Sequence, residues 1–400
     1  MKNTLFLALR SLRWYRGRAT TIVLCLTLTL WLPLTVRLLL NQFRTEIVSR
    51  AKSTPLVIGA KGSRIDLALN ALYFDTLPPD ELTMSESHYI QDSGFATAMP
   101  LHVRYRTQSV NQVDGVPIVG TVLEYFEFRD MRIVRGHGLR MLGDCVLGSD
   151  VAESMNLEPG DQILSAPKNA FNLAGDYPLK MTIRGVLAPT HSPDDGVVFC
   201  DIRTAWIIDG IGHGHQDLST ESVEEGVLLE KEDGQVTASA AVLPYTEITS
   251  ENVGSFHFHG HEADWPVTAI IANPDSRKHQ TLLLGRYASD RKEKAQCVRP
   301  FRVVDDLMSI VFRVERLVQL SSLLSVCVTG LLLGLVILLS IRLRAPEIRT
   351  MHKLGCSRGT VVSLVGTEIL LMTLCGTLLA LAAAWGCSVA ASDGLRTLLF

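Results

Sequence analysis

The chain has 400 residues, 47% of them hydrophobic and 20% charged, with a formal net charge of −3 at neutral pH. Such a balance is the average of membrane helices and an ordinary soluble domain, and it argues against nucleic acid as partner.

The N-terminal stretch MKNTLFLALRSLRWYRGR is basic, and Ala19 to Leu40 behind it is uncharged except for Arg37. About 20 apolar residues suffice to cross a bilayer core, so a helix over 19–40 is expected to span. A cleaved signal peptide is the competing reading. The apolar run is longer than the usual signal core, however, and it ends in Arg37, Asn41 and Gln42 with no small-residue cleavage site, which favours a retained helix. Arg37 lies near one end, where its stem can snorkel to the interface.

Residues 41–316 are too many for a loop and could bury one core or two small ones. Their periodicity reads as mixed α and β. Within GSDVAESMNLEPG, from Gly148 to Gly160, Ser149 or Asp150 is expected to cap a short helix whose apolar set is Val151, Met155 and Leu157, with a strand following from Gln162. LKMTIRGVLAP, PVTAIIA and GVLLEKEDGQVTASAAVL alternate as strands, the last with Asp233-Gly234 as a hairpin turn. The acidic run from Glu221 to Asp233 reads as a solvated excursion. Asp194-Asp195 could be paired carboxylates for acid–base work, but Pro-Asp-Asp-Gly is better explained as a turn.

His257-x-His259-x-His261 is the strongest metal signal in the chain. Alternate residues of a strand face one way, so three imidazoles could converge as zinc requires. A local turn whose histidines bond the backbone is the simpler reading, and no metal is assigned on the sequence alone.

After Pro300, the residues Val303, Leu307, Ile310, Val314 and Leu317 recur at three and four, predicting an amphipathic helix that runs directly into an uncharged stretch, 317–341. A basic segment over 342–359 follows, then 360–391, which is apolar with the single charge Glu368, and a tail over 392–400. Lys2, Arg10, Arg13, Arg16 and Arg18 precede the first span, while Arg342, Arg344, Arg349, Lys353 and Arg358 separate the second and third. Both clusters belong in the cytoplasm by the positive-inside rule, which puts 41–316 and the C-terminus outside; Arg44, Arg50 and Lys52 weaken the contrast without reversing it. Of the eight cysteines only Cys145, Cys200 and Cys297 then lie outside, an odd set without tight spacing, so no essential disulfide framework is predicted.

Small residues in the apolar runs, Gly330 with Gly334 and Gly376 with Ala380 and Ala384, permit close helix contact, either within the chain or with a second copy. Glu368 is costly in a span unless it is partly exposed or paired with a basic cytoplasmic residue. In the segment Ile341 to Gly359, Pro346 suits a first helical turn, Gly355 a C-terminal cap and Ser357 the cap of the next helix. Ile348, Met351 and Leu354 stand three apart as an apolar face beside Arg349, His352 and Lys353. From the residues alone this is either a docking helix or a polybasic loop that sets topology and touches anionic lipid.

The pattern R-x-R-x-x-E-I-x-x-M-x-x-L-G-x-S-R over 342–358, followed by an apolar helix with an early Glu, resembles the corresponding region of the MacB- and FtsX-like permeases of ABC transporters. TPLVIGAKGSRIDLALNALYF, VLGSDVAESMNLEPGDQI, IRGVLAPTHSPDDGVVF and SFHFHG, in that order along the chain, resemble their outer domain. The resemblance implies a membrane protein with an α-helical transmembrane part of three predicted spans and a large α+β extracytoplasmic domain of the MacB type, in a bacterial inner membrane. It further implies mechanotransmission, with a separate ATPase subunit carrying ATP and Mg and docking on Glu347, Ile348, Arg349, Met351, His352, Lys353, Leu354 and Gly355. Gly330, Gly334, Glu368, Gly376 and Ala380 are the expected transmembrane packing residues, and a second permease copy, an adaptor or lipoprotein outside and membrane lipid complete the expected partners. The chain has no G-x-x-x-x-G-K-[ST], and Gly59-Ala-Lys-Gly-Ser has the wrong spacing, so no nucleotide cofactor and no enzyme activity are expected in the chain itself. Members of the family usually have four spans, and only nine residues follow Ala391; a truncated or divergent member, or an incomplete transmembrane dimer, is expected. The alternative within the resemblance is an FtsX-like regulator that activates an outer partner without transport, and outside it a membrane-anchored metalloprotein.

Overall fold

The computed structural model describes residues 2–74, 80–110, 114–166, 178–214, 228–232, 235–238, 246–289, 294–343 and 345–399. The chain forms two compact units, Met1–Glu46 with Asp306–Leu399, and Ile47–Asp305.

In chain order, α1 (Lys2–Trp14) and α2 (Arg16–Ser53) come first. They are followed by β1 (Leu56–Ala60), α3 (Arg64–Tyr73), β2 (Leu82–Thr83), α4 (Met84–Asp92), β3 (Ala96–Arg106), β4 (Pro117–Thr121) and α5 (Leu123–Phe128). Next are β5 (Ile133–Gly136), β6 (Asp144–Leu147), α6 (Ser149–Ser154), β7 (Gln162–Leu164) and β8 (Leu179–Leu187). A 3-10 turn, Pro193–Gly196, precedes β9 (Val198–Asp201), α7 (Ile202–Ile208) and β10 (Gly212–Gly214). Then come β11 (Leu228–Glu232), β12 (Gln235–Ala238), β13 (Thr246–Glu247), β14 (Phe256–Phe258), β15 (Pro266–Val267), β16 (Ala269–Pro274), α8 (Arg277–Ser289) and β17 (Ala295–Val298). The remaining helices are α9 (Pro300–Leu343), α10 (Ala345–Lys353) and α11 (Arg358–Leu399).

In the first unit three helices contain stretches long and apolar enough to cross a membrane: Arg16–Gln42 in α2, Gln319–Leu339 in α9 and Arg358–Ala390 in α11. Helix α11 continues through Leu399, where the sequence reading expects a tail from residue 392.

The second unit is mixed α/β. Its main sheet has eleven strands in the order β13-β8-β6-β9-β4-β3-β16-β1-β17, with β5 and β7 also pairing with β8. Thr182 of β8 pairs with Asp144 of β6 and with Gln162 of β7, which places β6 and β7 on opposite edges of that strand. The residues of β1 and β4 are buried throughout, as a strand covered on both faces requires, while β8 alternates buried with half-buried positions over Leu179–Arg184. Antiparallel β11 and β12 occupy the expected hairpin; its turn, 233–234, and the acidic run before Leu228 lie outside the described residues.

Two distinct buried clusters stand out among the described residues. The first gathers Leu56, Ile58, Ile90, Trp206, Ile270 and Tyr287; the second gathers Ile118, Leu147, Met155, Ile163, Ile183 and Val198. Helix α7 serves both, since Ile202 and Trp206 enter the first while Ala205 and Ile207 enter the second. Ile202 and Trp206 stand four apart and so share one helix face, which turns Ala205 and Ile207 toward the other cluster.

Helix α6 begins one residue earlier than its cap signal suggests. Gly148, not Ser149 or Asp150, holds the N-cap position and makes no side-chain cap bond. A Cβ at Gly148 would sit 2.3 Å from the Asp195 carbonyl oxygen and 2.5 Å from that of Asp194, so close backbone approach has displaced the usual cap. Cys145 and Cys200 are register partners across β6 and β9, buried and free. Burial raises both thiols above their ordinary range, so they pack as small hydrophobes.

Candidate functional site

The basic segment between the second and third apolar helices folds as α10, closed at its C-terminal end by the local signals its sequence carries. The Cys356 N–H donates to the Met351 carbonyl at 3.0 Å and the Gly355 N–H to the His352 carbonyl at 3.1 Å, with Gly355 at φ +89°. This is a Schellman termination, which needs a residue tolerant of the left-handed region at that position. Ser357 then caps α11, its Oγ accepting from the Thr360 N–H at 3.2 Å. Ile348 and Met351 are half-buried, Arg349, His352 and Lys353 are exposed, and Leu354 is 80% exposed. The Glu347 side chain lies outside the described residues.

Helix α11 buries Leu364, Glu368, Met372, Gly376, Ala380, Ala384 and Ser388, one every four residues. At Gly376 this face meets α2: a Cβ there would lie 2.9 Å from Leu26 Cβ, and Thr27 Oγ1 donates to the Gly376 carbonyl at 3.3 Å. Gly376 therefore packs inside the chain, against α2, and Ala380 and Ala384 continue the same buried face. Gly330 and Gly334 are different, for a Cβ at either would meet nothing within 4 Å. Glu368 is buried rather than partly exposed, and its Oε2 lies 3.5 Å from Arg18 Nη2. The pairing partner is thus one of the basic residues preceding the first apolar run.

The C-terminal end of α2 carries a buried polar cluster in the second unit that the sequence reading missed. Arg50 Nη2 donates to Asp194 Oδ1 at 2.7 Å and to the Tyr125 hydroxyl at 3.0 Å, its Nη1 donates to Asp194 Oδ2, and its Nε donates to the Leu72 carbonyl at 3.3 Å. Tyr125 Oη donates to Asp194 Oδ1, and Ser192 Oγ donates to Asp194 Oδ2, both at 3.0 Å. Burial alone would raise the Asp194 carboxyl's pKa, but the Arg50 guanidinium overcomes this and holds it below the usual carboxylate range. Burial alone would likewise lower the Arg50 guanidinium's, and Asp194 drives it up. Arg129 stacks over the Tyr125 ring, 5.5 Å from its centroid, and donates to Thr54 Oγ1 at 2.8 Å.

The neighbouring carboxylate has a separate task. Asp195 closes a capping box with Ser192 and accepts from the backbone of Thr190 at 2.9 Å and of His191 at 2.6 Å. With one carboxylate neutralised by arginine and the other saturated by backbone donors, the Pro-Asp-Asp-Gly turn is a structural clasp. Asp194 and Asp195 gave a visible turn signal, whereas nothing local marked Arg50 as the partner of Asp194.

Three histidines of the second unit come together, and they are not the three of the sequence motif. His213 of β10 is the direct register partner of His257 in β14, and His259 follows two residues on. One ring nitrogen from each lies within 4.8 Å of the others. His261 is excluded because β14 ends at Phe258, Gly260 turns at φ +81°, and His261 becomes the cap of a 3-10 turn over Glu262–Asp264. Sequence alternation along one strand was the wrong geometry; the third imidazole arrives from the paired strand. His215 lies outside the described residues.

No protein-family profile matches the chain, and no curated protein matches it. Among solved structures the chain is similar to the periplasmic region of MacB from Actinobacillus actinomycetemcomitans, at 10% identity over 66% of this chain and 97% of that one, with a TM-score of 0.35. It is similar to the extracellular domain of the ABC-type transporter YknZ from Gram-positive bacteria at 10% identity, 61% and 98% coverage and a TM-score of 0.35. A third similarity is to a domain of a permease protein from Porphyromonas gingivalis, at 11% identity, 61% and 86% coverage and a TM-score of 0.28.

Proposed function

We propose that this chain is the permease subunit of a MacB-like ABC system in a bacterial inner membrane, coupling ATP hydrolysis in a separate subunit to movement of its outer unit. The observation that carries the reading is α10: a short helix, terminated at Gly355 and followed by a capped helix, that presents Leu354 at 80% exposure beside exposed Arg349 and Lys353. A leucine so exposed next to cations suits burial against a partner, where it contributes about 2 kcal/mol. Helix α9, 44 residues from Pro300 to Leu343, is unbroken and about 66 Å long at 1.5 Å per residue. A push on α10 would pass along it as rotation or tilt rather than be absorbed by a hinge. ATP and Mg belong to the partner, and in this reading the apolar face of α9 around Gly330 and Gly334 receives a second copy.

Met351→Glu and Leu354→Glu are expected to abolish co-purification with the ATPase subunit proposed as partner, because each places a charge where an apolar side chain should be covered. Loss of about 2 kcal/mol alone weakens such a contact roughly 30-fold. Unchanged co-purification of both variants would overturn the docking assignment.

A further inference from the structure

We infer that His213, His257 and His259 form a binding site for a divalent transition ion of the zinc class on the outer unit. This site is independent of the coupling reading.

The distances favour coordination. A tetrahedral ion bound at about 2.0–2.1 Å sets two ligand nitrogens about 3.3–3.4 Å apart. His213 Nε2 and His259 Nε2 stand 3.5 Å apart, and the third ligand nitrogen lies within 4.8 Å of both. The pair is already at a coordinating separation, and the remaining imidazole reaches it by a change of about 1.5 Å at most, within side-chain rotation.

The ribbon that carries them is pinned from behind. Phe256 and Phe258 alternate with the histidines and pack against the buried cores, leaving the imidazoles on the opposite face. Glycines flank His213 because a Cβ at Gly212 would meet the Phe258 ring at 2.6 Å and one at Gly214 the Phe256 ring at 2.6 Å. The His259 N–H donates to the Ile211 carbonyl at 3.1 Å, and Trp265 Nε1 donates to the His259 carbonyl at 2.9 Å, extending the pairing past the end of β14. The Nδ1 of His257 lies 3.4 Å from the Ser255 carbonyl, a backbone contact of the kind that fixes the ring of a metal-ligating histidine.

The donor set decides the kind of ion. Three imidazoles, with no carboxylate among the described residues close enough to join them, suit zinc, copper or nickel and not calcium or magnesium, which take oxygen. His213 and His259 are exposed, so the fourth position is open to water or to a ligand from an outer partner.

The test uses the full-length protein in detergent, titrated with Zn2+ and separately with Co2+, whose visible absorption reports tetrahedral nitrogen coordination. One equivalent is expected to bind. Each of H213A, H257A and H259A is expected to weaken binding at least about 100-fold, while H261A leaves it within about twofold. The glutamine variants H213Q and H259Q, which keep an exposed polar side chain, should reproduce the loss with an unchanged melting temperature. Binding of less than one equivalent, binding that survives loss of His213, or loss caused by H261A would each overturn the assignment.

Discussion

Arg50 Nη2 donates to Asp194 Oδ1 across 2.7 Å, and the two side chains are 7% and 2% exposed. The pair joins the end of α2 to the turn that precedes β9, positions 144 residues apart in the chain. Tyr125 and Ser192 complete the hydrogen bonding of the carboxylate. A buried ion pair is stable only when such extra bonds offset desolvation, and it punishes removal of one partner more than removal of both.

Asp194→Leu should therefore destabilise the second unit by about 3–5 kcal/mol, because it leaves the Arg50 charge buried without a counter-ion. The double variant Arg50→Met with Asp194→Leu should cost markedly less than Asp194→Leu alone. Urea unfolding midpoints of the wild type, the two single variants and the double variant check this; additive losses in that cycle would refute the coupling.

Acid should act through the same residue. The Asp194 carboxyl is held below its usual value in the fold, so its contribution is fully present above the unfolded carboxylate range, about pH 4, and fades as pH falls through the lower folded value. The wild-type second unit is expected to lose stability on acidification from about pH 4 downward, and Asp194→Asn should lose less over that interval. Melting temperatures from pH 5 to pH 2 measure the difference; parallel curves for the two proteins would exclude Asp194 as the group responsible.

Two glycines in the apolar helices should respond differently to the same change. Gly376→Leu forces a side chain against Leu26, which a Cβ alone would approach to 2.9 Å, and overpacking of this kind costs about 1–3 kcal/mol. Gly330→Leu meets open space, so the melting temperature should hold, while the yield of cross-linked dimer falls because that face is offered to a second copy in the proposed assembly. Thermal melting and cross-linking of the two variants in native membranes separate these outcomes.

What the amino-acid sequence determined by itself is what depends on near neighbours. Three apolar runs are helices because uncharged residues of that length satisfy their backbone internally. Gly355 stops α10 and Ser357 starts α11 because a left-handed position and an N-cap are each satisfied within a few residues. The alternation in Leu179–Leu187 was legible as a strand for the same reason. Tertiary structure alone decided the pairings. His213 stands opposite His257 only because β10 and β14 share a register, Cys145 faces Cys200 only through β6 and β9, and Gly376 differs from Gly330 only because α2 lies against one of them. Arg50 looked like one more charge in a topology count until the fold buried it on Asp194. Propensity and capping act over a few residues and leave a local signature; a partner 44 or 144 positions away is selected by packing and register, and no periodicity within one segment encodes it.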